Sequence, residues 1–192
     1  MTLIYRIHND SYNFQEFQLD VDDFIDLIPE DYEELYIYKF SYHNMQLKKW
    51  WSGVESAFKT IADKPEAPIP DICTWLGASI VLSPKAFTAL SELLSPYGEF
   101  LAVTCASKTY HIFNCLTLGQ VDEINSAQII ENGTSMGVEK LAFNAVDVDG
   151  KIAFKTQFNH CMDLFCNESL KQKVEEAALT GIIFDENLAA NF

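Results

Sequence analysis

The sequence has no run approaching the ~18 apolar residues of a membrane-spanning helix. Its opening residues, MTLIYRIHN, lack the basic start and long apolar stretch of a secretory signal, which predicts a cytoplasmic protein. Bases are scarce: 13 Lys and Arg stand against 28 Asp and Glu, a formal net charge of −15. That balance argues against nucleic acid and anionic membrane surfaces as direct partners, because their phosphates would repel the chain. Five cysteines (73, 105, 115, 161 and 166) make an odd number without paired spacing, which predicts reduced core thiols. The patterns G-x-G-x-x-G, P-loop, H-E-x-x-H and paired C-x-x-C are all missing, so no cofactor and no metal are expected. The sequons Asn132-Gly133-Thr134 and Asn167-Glu168-Ser169 have no meaning without a secretion route.

Acid is what the chain has in excess, and it is concentrated. Residues 1–35 hold ten acids (Asp10, Glu16, Asp20, Asp22, Asp23, Asp26, Glu30, Asp31, Glu33 and Glu34) and a single base, Arg6. Aromatic side chains run through that region and just past it: Tyr5, Tyr12, Phe14, Phe17, Phe24 and Tyr32, then Tyr36 and Tyr38. A disordered acidic tail would not carry them. Net acid gives solubility wherever it sits; acid interleaved with aromatics adds a second reading, a folded surface that meets something basic. At 192 residues, 48% of them hydrophobic, the chain can fill the core of one large domain or of a domain with a smaller lobe.

Periodicity predicts the elements. Leu3, Tyr5 and Ile7 alternate as a strand, Asn9-Asp10-Ser11 turns, and Phe14–Leu19 is a return strand with Phe17 and Leu19 inward. Val21–Ile28 has helical spacing between Asp20 and Pro29, and Leu35–Phe40 is expected as a strand. Ser52–Ala62 is expected as a helix, because Ser52-Gly53-Val54-Glu55 matches a capping box and Val54, Phe58 and Ile61 make a stripe. Residues 63–71, with three prolines, form an extended connector and the best candidate boundary. Beyond it come a helix from Ser83-Pro84, a hairpin of 99–105 and 109–116 around Ala106-Ser107-Lys108, and a second hairpin of 141–148 and 152–158 around Asp149-Gly150. A strand at 162–166, a helix capped by Asn167 and closed by Gly181, and a last strand at 182–184 complete the chain. Strands without regular βαβ alternation predict an α+β fold, a mostly antiparallel sheet with a few packed helices. The expected organisation is an acidic, aromatic N-terminal lobe over 1–64 and a C-terminal scaffold over 65–192, the two free to form one unit.

Three patterns bear on chemistry. Gly133-Thr134-Ser135-Met136-Gly137 matches the G-x-S-x-G nucleophile elbow, followed in hydrolase order by Asp147 or Asp149 and by His160. That chemistry needs a buried strand before the serine and a helix straight after it; here the following run reads as strand. His160-Cys161 with the other cysteines lacks zinc spacing, and Asp147-Val148-Asp149-Gly150 lacks the remaining ligands of a calcium loop. Lys48-Lys49-Trp50-Trp51 is the one basic and aromatic cluster. It suits stacking on bases or a protein interface, or one tryptophan packed inside with lysines over its edge.

From the connector onward the chain resembles a bacterial family. The pieces are Pro70-Asp71-Ile72 ahead of Ile80-Val81-Leu82-Ser83-Pro84-Lys85-Ala86, then Tyr110-His111-Ile112-Phe113-Asn114-Cys115 followed by Val121-Asp122-Glu123-Ile124-Asn125-Ser126. Met162-Asp163-Leu164-Phe165-Cys166-Asn167-Glu168-Ser169-Leu170-Lys171 and Ala178-Leu179-Thr180-Gly181-Ile182-Ile183-Phe184 complete them. Together they resemble immunity protein family eleven of bacterial polymorphic toxin systems, a group long carried as a domain of unknown function. The family pattern has Leu-Asp where this chain has Glu123-Ile124, and residues 1–62 match it only loosely.

The resemblance implies a cytosolic protein that binds and neutralises a cognate toxin and needs no catalytic residue. The partner expected for an acidic face is a basic toxin domain. Asp20, Asp22, Asp23, Asp26, Glu30, Asp31, Glu33 and Glu34 would supply long-range attraction; Tyr32, Tyr36, Trp50 and Trp51 would be anchors. Two other readings stay open at this stage. One is a serine hydrolase on Ser135 and His160; the other is a structural or regulatory module without a toxin, for instance a homodimer through Trp50-Trp51.

Overall fold

The computed structural model describes residues 3–61 and 63–189. It is an α+β fold dominated by mostly antiparallel sheet. The N-terminal half contributes β1 (Ile4–Asn9), β2 (Glu16–Gln18), α1 (Glu34–Tyr38) and β3 (Glu55–Lys59). Then come β4 (Ile72–Trp75), β5 (Ser79–Leu82), α2 (Pro84–Leu94), β6 (Gly98–Cys105) and β7 (Lys108–Cys115). The chain continues with β8 (Ala127–Glu131), β9 (Thr134–Lys140), β10 (Ala153–Phe154), β11 (Leu164–Asn167), α3 (Glu168–Glu176) and β12 (Ile182–Asp185).

The strands make a six-stranded sheet in the order β2-β3-β6-β7-β5-β4, a four-stranded sheet β10-β11-β1-β12, and the hairpin β8-β9. Every ladder is antiparallel except β3 against β6. Both large sheets mix strands from 1–64 with strands from beyond 65. β1 lies between β11 and β12, and β2-β3 extends the other sheet through β6. The proline-rich stretch is thus a link between strands of the same sheets.

Alternation along the strands sorts side chains into three cores. On β6 and β7, Leu101, Val103, Tyr110 and Ile112 face a first core with Trp75 of β4 and with Phe24, Ile37 and Phe40 from the acidic half. Phe113 and Cys115 face a second core, shared with Tyr5 and Ile7 of β1, Leu164 and Cys166 of β11, and the inner sides of α2 and α3. Phe154 and Phe165 point to a third core, with Val138, Leu141 and Val148 over them. Both longer helices are placed by packing. Ser83 accepts from the Ala86 N–H at 3.2 Å to cap α2, worth about 1 kcal/mol. Ala86, Leu90 and Leu94 are fully buried on one face of it, and each leucine contributes about 2 kcal/mol. All five cysteines are free and buried; burial pushes the Cys73 thiol up to about 12 and the Cys115 thiol up to about 11.

Four expected elements differ. Val21–Ile28 is two 3-10 turns, Val21–Asp23 and Ile25–Leu27, with the Asp23 carboxylate accepting from the Asp20 N–H at 2.8 Å. Leu35–Phe40 is the one-turn helix α1; Ile37 and Phe40, three apart, are buried while Leu35 and Tyr38 are exposed, a helical pattern. Ser52–Ala62 contains the strand β3, because Gly53 has φ +66, a left-handed conformation no helix continues. Its stripe residues Val54 and Phe58 also satisfy a period of two; Ala62 lies outside the described residues. The expected hairpin at Asp149-Gly150 is only a turn. Asn144 Oδ1 accepts from the Val146 and Asp147 N–H groups, and these side-chain bonds replace a ladder over 141–148. The return strand β2 is present, but it pairs with β3 and not with β1. α3 ends at Glu176, and Ala178, left-handed at φ 46, turns the chain away before Gly181.

Gly181 has a separate task. It has φ +110, and a Cβ there would stand 2.2 Å from the Ile72 carbonyl oxygen and 2.3 Å from Pro70. Neither the conformation nor the space admits a side chain. Gly181→Ala is expected to cost more than about 3 kcal/mol, read as a shifted urea midpoint at unchanged slope.

Candidate partner-binding face and adjoining cavity

The eight acids expected at the partner face, Asp20, Asp22, Asp23, Asp26, Glu30, Asp31, Glu33 and Glu34, are all exposed. They differ in what holds them. Asp22 accepts a hydrogen bond from the Tyr38 hydroxyl, which pushes that phenol up. Asp23 closes the first 3-10 turn. Among the described residues, Asp26, Glu30, Asp31, Glu33 and Glu34 have no side-chain hydrogen bond and no ion pair.

The aromatic residues form a row. The Trp50 and Tyr32 rings meet edge to face at 5.0 Å, and Tyr32 lies 6.3 Å from Tyr36. Tyr36 stacks on His43 at 4.0 Å, His43 meets Tyr42 at 5.2 Å, and Tyr42 reaches His160 at 5.8 Å. Lys49 lies over Trp50 at 3.8 Å. Tyr36 and Tyr42 are exposed, while Tyr32 and Trp50 are half-buried against the first core. Trp51 is different. Its indole N–H donates to the Ala102 carbonyl at 2.7 Å, and its ring packs on Phe24 and Trp75 at 5.0 and 6.3 Å. It fastens the acidic half to β6, while Lys49 of that cluster lies over Trp50 and not over Trp51.

At the far end of the row, His160 borders a cavity of about 170 Å³ also lined by Ser135 and Asp163, with Val138, Phe158 and Leu188 as apolar walls. His160 and Cys161 are both left-handed, at φ 56 each, a pairing of two non-glycine residues that costs on the order of 1–3 kcal/mol per residue. Ser41 holds this bend. Its hydroxyl donates to the Cys161 carbonyl at 3.1 Å and accepts from the Ala78 N–H at 3.3 Å, while its carbonyl accepts from Lys155 Nζ at 2.6 Å. Asp163 is mostly buried. Asn159 donates to it at 2.9 Å, and Arg6 stands 3.7 Å away while making its closer bond, 3.1 Å, to Asp185. Burial pushes the Asp163 carboxyl up, against the pull of Arg6 and Asn159.

The serine motif takes its meaning from this hairpin. Asn132 and Gly133 have φ 50 and 80, the two left-handed residues of a tight β-turn. Gly137, at φ 152, faces Ile129, and the register slips between Ile129 and Ile130, so Met136 bulges. Both motif glycines therefore have backbone tasks in β8-β9. Ser135 lies inside β9 opposite Ile130, away from any strand-to-helix turn. No hydrogen bond joins it to His160 among the described residues. Asp147 is bound elsewhere, to Lys151 at 2.7 Å and to the Gln120 N–H at 2.7 Å. Sequence reading did not single out Asp163, Asn159, Tyr42 or His43. The Asn132-Gly133 pair, read from the sequence only as part of a sequon, is the local signal that could have found this hairpin.

Among the described residues no group of three or more His, Cys, Asp or Glu is arranged to hold a metal ion. No helix of the described residues is long and apolar enough to cross a membrane. No family model matches the chain, and no curated protein matches it.

Two outcomes follow from these contacts. Trp51→Ala is expected to cost about 3 kcal/mol of stability in urea and Trp50→Ala about 1, which separates fastener from row. The Asp147 carboxyl is held below its usual range, by Lys151 first and the Gln120 N–H second. Its folded pKa lies below the unfolded one, so its stabilisation is present above the unfolded value and is lost as pH falls through the folded one. Asp147→Asn should lower Tm at pH 7 and cease to differ from the parent near pH 2.

Proposed function

We propose that this chain is a toxin-neutralising binding protein of the cytosol whose partner is a basic toxin domain, in keeping with its resemblance to immunity protein family eleven. The observation that carries the reading is the stretch from Asp26 to Glu34, five exposed carboxylates without an internal cation, set beside the aromatic row. Like charges this close repel one another within the ~8 Å screening length of physiological salt. Folding gains nothing from grouping them; a cationic partner does.

The two kinds of residue divide the work. An exposed ion pair is worth about 0.2–1 kcal/mol, so the acids chiefly raise the rate of encounter. Aromatic anchors such as Tyr36 and Tyr42 supply affinity, about 2 kcal/mol or more each when covered. The hydrolase alternative has in its favour that Ser135 and His160 border one cavity. Against it stands the ladder: β9 backbone N–H groups turned toward β8 cannot also converge on an oxyanion.

The test is co-expression with the C-terminal domain of the protein encoded by the neighbouring gene, scored as toxicity of that domain alone and rescue of growth by this chain. Asp22 and Asp23 support local structure, so the informative variant is Asp26→Lys, Glu30→Lys, Asp31→Lys and Glu34→Lys together. It is expected to keep the parent's Tm and to slow association at least about tenfold at low salt. Unchanged kinetics, or no rescue by the parent chain, would remove the reading.

A further inference from the structure

The cavity beside His160 is a partly open space that adjoins the end of the aromatic row through the Tyr42–His160 contact, and none of the eight acids lines it. Its size, about 170 Å³, admits an unbranched chain of roughly five or six non-hydrogen atoms at ~30 Å³ apiece. Val138, Phe158 and Leu188 make its walls apolar, while Ser135, His160 and Asp163 bring polar groups to it. Apolar walls with a few convergent polar groups are the usual form of a ligand site.

The charge of the site selects among ligands. Arg6 gives its short contact to Asp185 and a second hydrogen bond, at 3.3 Å, to the Asn187 carbonyl. Asp163 is left with Arg6 at 3.7 Å and one amide donor. Since Asn159 must present its NH2 to that carboxylate, its amide orientation is set by the bond. A second cation would complete the pairing of Asp163, whereas an anion would meet it. Ser135 and the His160 ring have no hydrogen-bond partner among the described residues and are free to accept.

We infer that this cavity receives a primary alkylammonium group, the side chain of a lysine carried by the basic partner, its methylenes between Val138, Phe158 and Leu188 and its ammonium at Asp163 and Ser135. Five non-hydrogen atoms beyond Cα match the space. The row of rings from Trp50 to His160 joins the acidic face to the mouth of the cavity, so a chain lying on the rings places a side chain there. The inference rests on the proposed basic partner for the source of the lysine. It does not rest on it for the chemistry of the site.

The experiment is a titration followed by two-dimensional NMR of the backbone amides of Ser135, Gly137, Met162 and Asp163. The probes are Nα-acetyl-lysine N-methylamide, pentylammonium, and Nα-acetyl-norleucine N-methylamide, which keeps the stem and lacks the ammonium. Saturable shifts are expected with the lysine amide, at least about tenfold weaker binding with the norleucine amide, and a similar loss in Asp163→Asn. Ser135→Phe, which fills the cavity from the hairpin, should abolish binding with the remaining spectrum unchanged. It decides the matter even if Asp163→Asn fails to fold. Equal binding of the norleucine amide, or no shift by roughly 20 mM probe, overturns the inference. Shifts with pentylammonium alone overturn the partner's lysine as occupant and assign the site to a free amine. No toxin enters this titration. Its failure therefore leaves the acidic-face reading standing, and failure of growth rescue leaves the ammonium site standing.

Discussion

A lysine without solvent contact holds the two halves of the surface together. Lys155 is fully buried on the way out of β10, and burial pushes its ammonium down. Taking such a group out of water costs several kcal/mol unless it is bonded. Its bond goes to the Ser41 carbonyl, and Ser41 in turn bonds the Cys161 carbonyl and the Ala78 N–H. Three distant stretches meet at one residue. Gly77 makes room for it, since a Cβ there would lie 2.6 Å from Ser41 Cβ. Tyr42 and His43 follow directly in sequence, and His160 directly precedes Cys161. The contact between the rings of Tyr42 and His160 is a consequence of the buried bonds beneath them.

That knot explains why a short acidic segment behaves as part of a scaffold. The segment from Asp20 to Phe40 has only 3-10 turns and one helical turn, which are marginal alone. Phe24, Ile28, Ile37 and Phe40 insert into the first core, and Trp51 and Trp75 donate to the Ala102 and Leu19 carbonyls at 2.7 Å each. With apolar residues spent inward, the charged ones can only point out. The eight exposed carboxylates follow from that division, and so does their crowding.

How much of this was legible in the sequence depended on whether the signal was local. The α2 cap at Ser83-Pro84, the β6-β7 hairpin, the Asn167 cap of α3 and the last strand are all set by residues within a turn of one another, and each was expected where it occurs. The exposure of the acids was also legible, because a carboxylate without a partner has nowhere else to go. Leu35–Phe40 and Ser52–Ala62 were misjudged because their apolar spacing fits both periods, and the choice was made by tertiary partners: β2 and β6 for β3, the first core for α1. The Asp149-Gly150 hairpin failed because Asn144, five residues earlier, redirected the backbone. The cavity was legible only as the pairing of Ser135 with His160, which was read for other chemistry; Asp163 was not picked out. Ser135, His160 and Asp163 come together through a hairpin, a left-handed bend and a strand start, none of which carries a spacing rule.

The same geometry argues for how the serine and histidine should be understood. In a nucleophile elbow, strain at the serine is what exposes its hydroxyl and frees the neighbouring N–H groups. Here the left-handed strain sits at His160 and Cys161, and the serine lies in a relaxed ladder position across from Ile130. Strain held at the histidine sets a ring at the cavity mouth and against Tyr42. It does nothing to activate a hydroxyl. A site whose strain orients an aromatic ring, and whose mostly buried carboxylate has only Arg6 at 3.7 Å and one amide donor, has room on that carboxylate for a charged chain end; the acids along the row supply the approach to it.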